Sequence, residues 1–121
     1  MEKKLILAID DNMSQHVLYQ GILVPKYILR AAKSASEALS FLNSNQADIV
    51  LLDIEMPNVS GFEFLDDIKR IPSYIDVPVI IVSSKTGDDF FKKVKESSAA
   101  DALTKPVAPE TLLSTIEKHL K

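Results

Sequence analysis

The amino-acid sequence predicts an α/β protein built on a doubly wound, five-stranded parallel β-sheet flanked by five helices. Short apolar runs rich in branched residues alternate five times with segments of helical period, which is the pattern of repeated β-α units. The central runs Ile49–Leu52 and Val79–Val82 are apolar at every position, as expected of strands covered by helices on both faces. With 121 residues, we expect one domain spanning residues 1–121, because single domains cluster near about 100–150 residues.

The apolar runs place the strands. In chain order, the predicted strands are Leu5–Ile9, Tyr27–Ala31, Ile49–Leu52, Val79–Val82 and Ala102–Leu103. The first helix is predicted from about Ser14 to Leu23, with Gly21 allowing close approach to the sheet and His16 pointing into solvent. The residues of this helix expected to face the sheet are Val17, Leu18, Gly21 and Ile22.

Capping signals and apolar spacing predict the other helices. Ser34 with Glu37 three residues later has the form of a capping box and starts the second helix. The third helix runs from about Ser60 to Arg70, the fourth begins near Asp88 and Asp89, and the fifth opens at Pro109. The positions expected to face the sheet are Phe62, Leu65, Ile68, Phe91, Val94, Leu112, Leu113, Ile116 and Leu120.

Composition excludes several kinds of site. The chain contains no cysteine, which rules out disulfides, thiolate metal sites and a cysteine nucleophile. The histidines, His16 and His119, lie near opposite ends of the sequence and lack the spacing of a zinc motif. A net charge of −3 disfavours nucleic-acid binding, which needs clustered basic residues. No apolar run approaches the roughly 18 residues of a membrane span, so we expect a cytoplasmic protein without membrane contacts.

Polar side chains follow four of the predicted strands. The carboxyl ends of parallel strands meet at one edge of the sheet, and open α/β sheets bind their ligands there. We therefore expect these side chains to lie close together. In chain order they are Asp10 and Asp11, Asp53, Ser83 and Ser84, and Lys105.

These residue types favour a magnesium and phosphoryl site. Three carboxylates at one edge repel each other unless a cation joins them, and oxygen ligands suit Mg²⁺. Lys105 offers a positive charge to a phosphoryl oxygen. Each residue also has a simpler interpretation: an aspartate after a strand is a common cap or turn residue, and Lys105 can form a structural salt bridge to one of the acids.

Other phosphate-binding and catalytic motifs are missing. Glycine occurs only at positions 21, 61 and 87, so the chain has neither a dinucleotide-binding nor a P-loop glycine pattern. There is no GxSxG sequence, and Ser83 has no histidine base near it in sequence, which makes it a hydrogen-bond donor rather than a nucleophile. A carboxylate is the remaining nucleophile, and Asp53 is the candidate for an aspartyl phosphate.

Together these motifs resemble the receiver domain of bacterial two-component response regulators, of the chemotaxis-regulator type. The resemblance rests on Asp10-Asp11, on Asp53 within Leu-Leu-Asp-Ile-Glu-Met-Pro, on Gly61, on Ser83 and on Lys105-Pro106, and covers essentially the whole chain. It implies a flavodoxin-like sheet of strand order 2-1-3-4-5. It also implies a signalling switch, not an enzyme with its own substrate turnover, that takes a phosphoryl group on Asp53 from a histidine kinase or phosphotransfer protein.

The resemblance implies a role for each site residue. Mg²⁺ would be held by Asp11, Asp53 and the backbone carbonyl of Glu55, with Asp10 acting largely through a water molecule. Lys105, the Ser83 hydroxyl and the Ser84 N–H would bind the phosphoryl oxygens. The added charge would then change the face formed by helix 4, strand 5 and helix 5, which regulates a downstream partner.

The sequence departs from the family pattern near the site. Ala102 stands where the family usually has an aromatic switch residue, so we expect the signal to pass through Ser83 and the start of helix 4. Glu55 and Lys85 occupy two variable positions. An ion pair between them would partly shield the phosphoryl group from water, and the alternative is that both are solvated surface charges. Phe90 has two interpretations: a partly packed position at the edge of the core, which is favoured, and an exposed aromatic on this face. We expect a partner or a second copy of the chain, in a weak or phosphorylation-dependent homodimer, to bind at the start of helix 4.

Three alternatives stay open from the sequence. A degenerate receiver would act as an interaction module without phosphorylation. An aspartyl-phosphate phosphatase of the haloacid-dehalogenase type usually has a second aspartate where this chain has Glu55. A flavin-binding flavodoxin-like protein would need a phosphate loop rich in serine and threonine, which is missing.

Overall fold

A computed structural model describes residues 2–120 of the chain, which form five parallel strands and five α-helices. The strands pair in the order β2-β1-β3-β4-β5, which confirms the predicted fold class and strand order. The strands are β1 Leu5–Ile9, β2 Ile28–Ala32, β3 Ile49–Asp53, β4 Val79–Ser83 and β5 Asp101–Thr104. The helices are α1 Met13–Leu23, α2 Ala35–Ser44, α3 Gly61–Lys69, α4 Asp88–Glu96 and α5 Pro109–His119, with a 3₁₀ turn at Pro72–Tyr74.

The sheet is covered on both faces. Every residue of β3 and β4 is buried, as their continuous apolar runs predict. One core lies between the sheet and α2 and α3, with Leu52 and Leu65 among its members, and α4 packs at its margin. The other core joins the sheet to α1 and α5, with Leu51 and Ile116 among its members. This arrangement directs the carboxyl ends of all five strands to one edge.

Side-chain caps begin α1 and α2. Asn12 accepts a hydrogen bond from the Ser14 N–H at 2.9 Å, so α1 starts directly after the end of β1. Ser34 accepts from the Glu37 N–H at 3.1 Å, as the capping-box sequence predicts. The Glu37 carboxylate accepts from the N–H of Lys33 at 3.2 Å. These caps position the first turn of each helix relative to the preceding strand.

The predicted inward face of α1 is wrong for Val17 and Leu18, whereas Ile22 is half-buried against the core as predicted. His16 is buried at 6% exposure, whereas Val17 is 67% exposed and Leu18 is also exposed. The inward face consists of His16, Tyr19 and Leu23, which have the i, i+3, i+7 spacing of one helical face. Hydropathy favours the opposite face, but the His16 ring has a hydrogen-bond partner, since its Nε2 lies 2.7 Å from the backbone oxygen of Asp10.

Gly21 likewise does not approach the sheet. A Cβ atom built at this position would meet no heavy atom within 4 Å, and the residue is exposed. The close approach instead occurs at Gly61, where a Cβ would lie 2.5 Å from the Cα of Ile54. Gly61 is the residue that lets α3 start against the segment following β3.

The predicted inward orientation of Phe91 in α4 is also wrong, whereas Phe90 takes the predicted position at the edge of the core. Phe91 is exposed at 43%, whereas Phe90 is half-buried and packs on Phe62 of α3 with ring centroids 6.2 Å apart. Both phenylalanines lie three or four residues from Val94, so helical spacing alone permits either one to face inward. The contact with Phe62 decides between them. In α3 and α5, the predicted inward residues Leu65, Ile68, Leu112 and Ile116 are fully buried, and Phe62, Leu113 and Leu120 are half-buried.

Within residues 2–120, no helix is both long enough and apolar enough to cross a membrane.

Candidate phosphoryl-acceptor site

The residues predicted at the strand ends, except the buried Ser83, line one small cavity. Asp10 follows β1, Asp53 ends β3, Ser83 ends β4 and Lys105 follows β5. The cavity has a volume of about 190 Å³. Its lining consists of Asp10, Asp11, Asn12, Asp53, Glu55, Ser84 and Lys105.

Three carboxylates form the acidic side of the cavity. Asp10, Asp11 and Asp53 each offer one oxygen, and these oxygens all lie within 4.8 Å of one another. Asp10 and Asp53 are buried, at 1% and 4% exposure, while Asp11 reaches solvent. Hard oxygen donors that include one solvent-facing carboxylate fit Mg²⁺, which keeps several waters when bound to protein. The cluster can therefore hold a divalent cation.

Backbone N–H groups orient the two buried carboxylates. One oxygen of Asp10 accepts from the Asn12 N–H at 2.9 Å, and Oδ1 of Asp53 accepts from the Glu55 N–H at 3.0 Å. Oδ2 of each carboxylate faces Lys105, whose Nζ lies 2.8 Å from Asp10 and 3.6 Å from Asp53. The salt bridge considered from the sequence is thus present, mainly to Asp10, and Lys105 also reaches the acceptor side of Asp53.

The environment shifts the acid–base properties of these groups. Burial raises the pKa of the Asp53 carboxyl, and the negative charge of Asp10 acts in the same direction against the lowering effects of the Glu55 N–H and of Lys105. Burial by itself would lower the pKa of Lys105, but its hydrogen bond to Asp10 and the charge of Asp53 raise it above the ordinary value. The lysine therefore stays charged beside the acids at neutral pH.

The Glu55 side chain occupies the serine side of the site. Its Oε1 accepts hydrogen bonds from the Ser83 hydroxyl at 2.7 Å, the Ser84 N–H at 3.0 Å and the Ser84 hydroxyl at 2.9 Å. The hydrogen bond from Ser83 lowers the pKa of Glu55, and the two Ser84 donors lower it further against the opposing effect of burial. Glu55 is consequently ionised at neutral pH and bound to the end of β4.

The expected ion pair between Glu55 and Lys85 is absent: no Lys85 contact is found among the salt bridges of the described residues. The donors at the end of β4 belong to ordered backbone and short side chains, so binding them costs less conformational entropy than ordering a lysine. The Lys85 side chain is exposed, and its backbone N–H donates to the Ser83 hydroxyl at 3.0 Å. Ala102 is half-buried in β5 and brings no ring to the site.

Two positioning residues were not predicted from the sequence. His16 holds the backbone oxygen of Asp10, and Asn12 caps α1 while its N–H donates to the Asp10 side chain. Asn12 carries a sequence signal, because asparagine before a helix is a favoured cap. The role of His16 had no such signal, since it depends on the rotation of α1.

The family model of the response regulator receiver domain matches residues 6–117. The chain belongs to the response regulator receiver family. This membership agrees with the resemblance inferred from the strand-end motifs, and receiver domains act in two-component phosphorelay signalling.

Individual relatives cover this receiver domain almost completely. A probable cyclic di-GMP phosphodiesterase of Vibrio cholerae serotype O1 is 34% identical over 116 residues, which are 96% of this chain and 26% of the relative. The two-component response regulator ORR8 of Oryza sativa subsp. japonica is 29% identical over 109 residues, 88% of this chain and 90% of the relative. The structure of chemotaxis protein CheY4 of Vibrio cholerae matches with a TM-score of 0.91 and 28% identity over 98% of this chain and 100% of that chain.

The chain spans only part of several curated relatives, at 26%, 29% and 25% of their lengths. The phosphodiesterase name therefore describes a protein much longer than this receiver domain. What the comparison supports for this chain is the signalling domain common to all of these relatives.

Proposed function

We propose that this receiver domain is a phosphorylation-dependent switch whose acceptor is Asp53. The observation that carries the proposal is the convergence of three carboxylates and Lys105 on one small cavity, with Ser84 in its lining. The partner would be a histidine kinase or a phosphotransfer protein, because the chain itself contributes an acceptor and no nucleotide-binding motif.

Asp53 is the proposed nucleophile because it ends β3, the central strand of the sheet, between the acid pair after β1 and Lys105 after β5. Its Oδ1 is occupied by the Glu55 N–H, which leaves Oδ2 facing Lys105. In the proposed transfer, Oδ2 forms the bond to phosphorus as the P–N bond of a phosphohistidine breaks. The electron pair of that bond returns to the donor ring, which leaves as neutral imidazole when its other nitrogen carries a proton.

The remaining groups would position the phosphoryl group and neutralise its negative charge, which is most of what phosphoryl transfer requires. Mg²⁺ would be held by Asp11, Asp53 and the backbone carbonyl of Glu55, with Asp10 acting through water. Bound there, it would neutralise negative charge on the phosphoryl oxygens. Lys105, the Ser83 hydroxyl and the Ser84 N–H would bind those oxygens directly.

The structural change caused by phosphorylation would reach the protein surface at the start of α4. A phosphoryl group adds roughly −1.5 to −2 charges, and its nearest donors belong to the β4–α4 connection. With Ala102 in place of an aromatic residue, that connection is the available route to the surface. We propose that a partner or a second copy reads this region, where Phe91 rather than Phe90 is the exposed aromatic.

Mass spectrometry tests the acceptor. The protein should gain one phosphoryl group when treated with acetyl phosphate and Mg²⁺, and Asp53→Asn should not. Asp67→Asn is a matched control, since Asp67 is an exposed aspartate on α3, far along the chain from the strand ends. Full labelling of Asp53→Asn would contradict the assignment. An unlabelled wild-type protein would instead favour the alternative of a degenerate receiver that acts as an interaction module.

A further inference from the structure

The donors proposed to bind the phosphoryl group are already occupied by a carboxylate of the same chain. One oxygen of Glu55 accepts from the Ser83 hydroxyl at 2.7 Å and from the Ser84 N–H at 3.0 Å, and the Ser84 hydroxyl adds a third contact at 2.9 Å. A carboxylate oxygen and a phosphoryl oxygen are both anionic acceptors of charge-assisted hydrogen bonds. Glu55 thus fills the chemical place of a phosphoryl oxygen.

The two sets of contacts exclude each other. Ser83 is buried at 1% exposure, and its oxygen accepts from the Lys85 N–H at 3.0 Å. That contact leaves the single hydroxyl proton of Ser83 as its only donor, and Glu55 takes it. The Ser84 N–H likewise has one hydrogen to donate. A phosphoryl oxygen can bind these donors only after Glu55 has left them.

Glu55 can leave without disturbing the core. Its side chain is exposed, so a displaced carboxylate is solvated at once. Its backbone N–H holds Asp53 independently of the side chain. Only the side chain has to move, so the acceptor segment keeps its backbone hydrogen bond while the donors of the β4–α4 connection bind the phosphoryl group.

We infer that Glu55 is an internal competitor for the phosphoryl-binding donors, and that its carboxylate holds Ser83 and Ser84 in the unphosphorylated protein and is displaced on phosphorylation. This inference rests on the proposed function. It differs from simple charge repulsion, because it requires the carboxylate to reach the serines and not merely to be near the site.

Variants at position 55 distinguish the effect of the length of the Glu55 side chain from the effect of its negative charge. Glu55→Ala removes both, Glu55→Asp keeps the charge on a side chain one carbon shorter, and Lys85→Ala is the control at an exposed neighbour whose side chain has no partner in the site. Beryllofluoride with Mg²⁺ serves as the phosphoryl probe. We expect Glu55→Ala and Glu55→Asp to bind it about three- to tenfold more tightly than wild type, the scale of the net contribution of one hydrogen bond, and Lys85→Ala to bind it unchanged.

The amide signal of Ser84 in the free protein is the second measurement and needs no phosphorylation. It should shift upfield in both Glu55 variants as the hydrogen bond to the carboxylate is lost, and stay in place in Lys85→Ala. An unshifted Ser84 signal in the Glu55 variants would overturn the inference, as would a Glu55→Asp affinity equal to that of wild type, which would point to charge alone. Beryllofluoride binding by none of the proteins would contradict the proposed function itself and this inference with it.

Discussion

Replacing Gly61 by alanine should destabilise the protein by distorting the segment that carries the acceptor. The added Cβ would lie 2.5 Å from the Cα of Ile54 and 2.7 Å from its backbone oxygen. Neither atom belongs to a flexible side chain, so the strain cannot be relieved by a rotamer change. Because Ile54 directly follows Asp53 and precedes Glu55, relief must come from moving the start of α3 or the acceptor segment.

The expected cost follows from the depth of this overlap. Overpacking a close-packed core costs about 1–3 kcal/mol, and a clash with backbone belongs in the upper half of that range. We therefore expect the free energy of unfolding to fall by about 2–3 kcal/mol. For a chain of 121 residues, the entropy of unfolding converts each kcal/mol into about 4 °C, which predicts a drop in Tm of roughly 8–12 °C.

Gly21→Ala is the matched control on the same protein. Gly21 lies within α1 with no heavy atom within 4 Å of the added Cβ, so alanine gains helix propensity without a clash. We expect a stabilisation of about 0.5–1 kcal/mol. Urea and thermal unfolding of both variants measure the two effects. The steric reasoning would be refuted if both substitutions changed the free energy of unfolding in the same direction. It would also be refuted if Gly61→Ala were within about 0.5 kcal/mol of wild type.

Two further predictions concern the charges of the site without metal. Asp53→Asn should stabilise the protein at neutral pH, because the raised pKa of Asp53 means that ionisation of this carboxyl opposes folding. By linkage, the gain in stability shrinks as the pH falls through that raised pKa and disappears below the ordinary aspartate pKa. Urea unfolding across this range checks it, and an Asn variant less stable than wild type at neutral pH would contradict it. Lys105→Met should cost about 2 kcal/mol, because it strips the buried Asp10 of its cation. Because the pKa of Lys105 is raised, the stabilisation by the Lys105–Asp10 ion pair is fully present at neutral pH and is lost only as the pH rises through the raised lysine pKa. A Lys105→Met variant as stable as wild type at neutral pH would contradict this role of the ion pair.

Much of the architecture follows from local composition. The runs that form β3 and β4 are apolar at every position, and only strands covered on both faces bury such runs completely. Once the strands are parallel, their carboxyl ends must share an edge, so the meeting of Asp10, Asp53 and Lys105 follows from their positions after strands.

The orientations of α1 and α4 did not follow from the sequence, whereas those of α3 and α5 did. Hydropathy placed Val17 and Leu18 inward, yet α1 buries His16, because a carbonyl at the end of β1 accepts a hydrogen bond from its ring. In α4 the spacing permitted either phenylalanine to face the sheet, and a ring on α3 selected Phe90. These choices depend on partners from other elements.

The sequence by itself determined the α/β class, the strand positions and the identity of the polar groups at the sheet edge, because each is encoded in short stretches of residue types. The partner of Glu55 was decided only by the tertiary structure. From the sequence alone, an exposed glutamate is expected to be a solvated charge. The contacts of Glu55 with Ser83 and Ser84 span 28 and 29 positions of the chain, so no local pattern predicts them. Strand position is a local property of a run, whereas the partner of a side chain depends on which distant donors the folded sheet brings within about 3 Å.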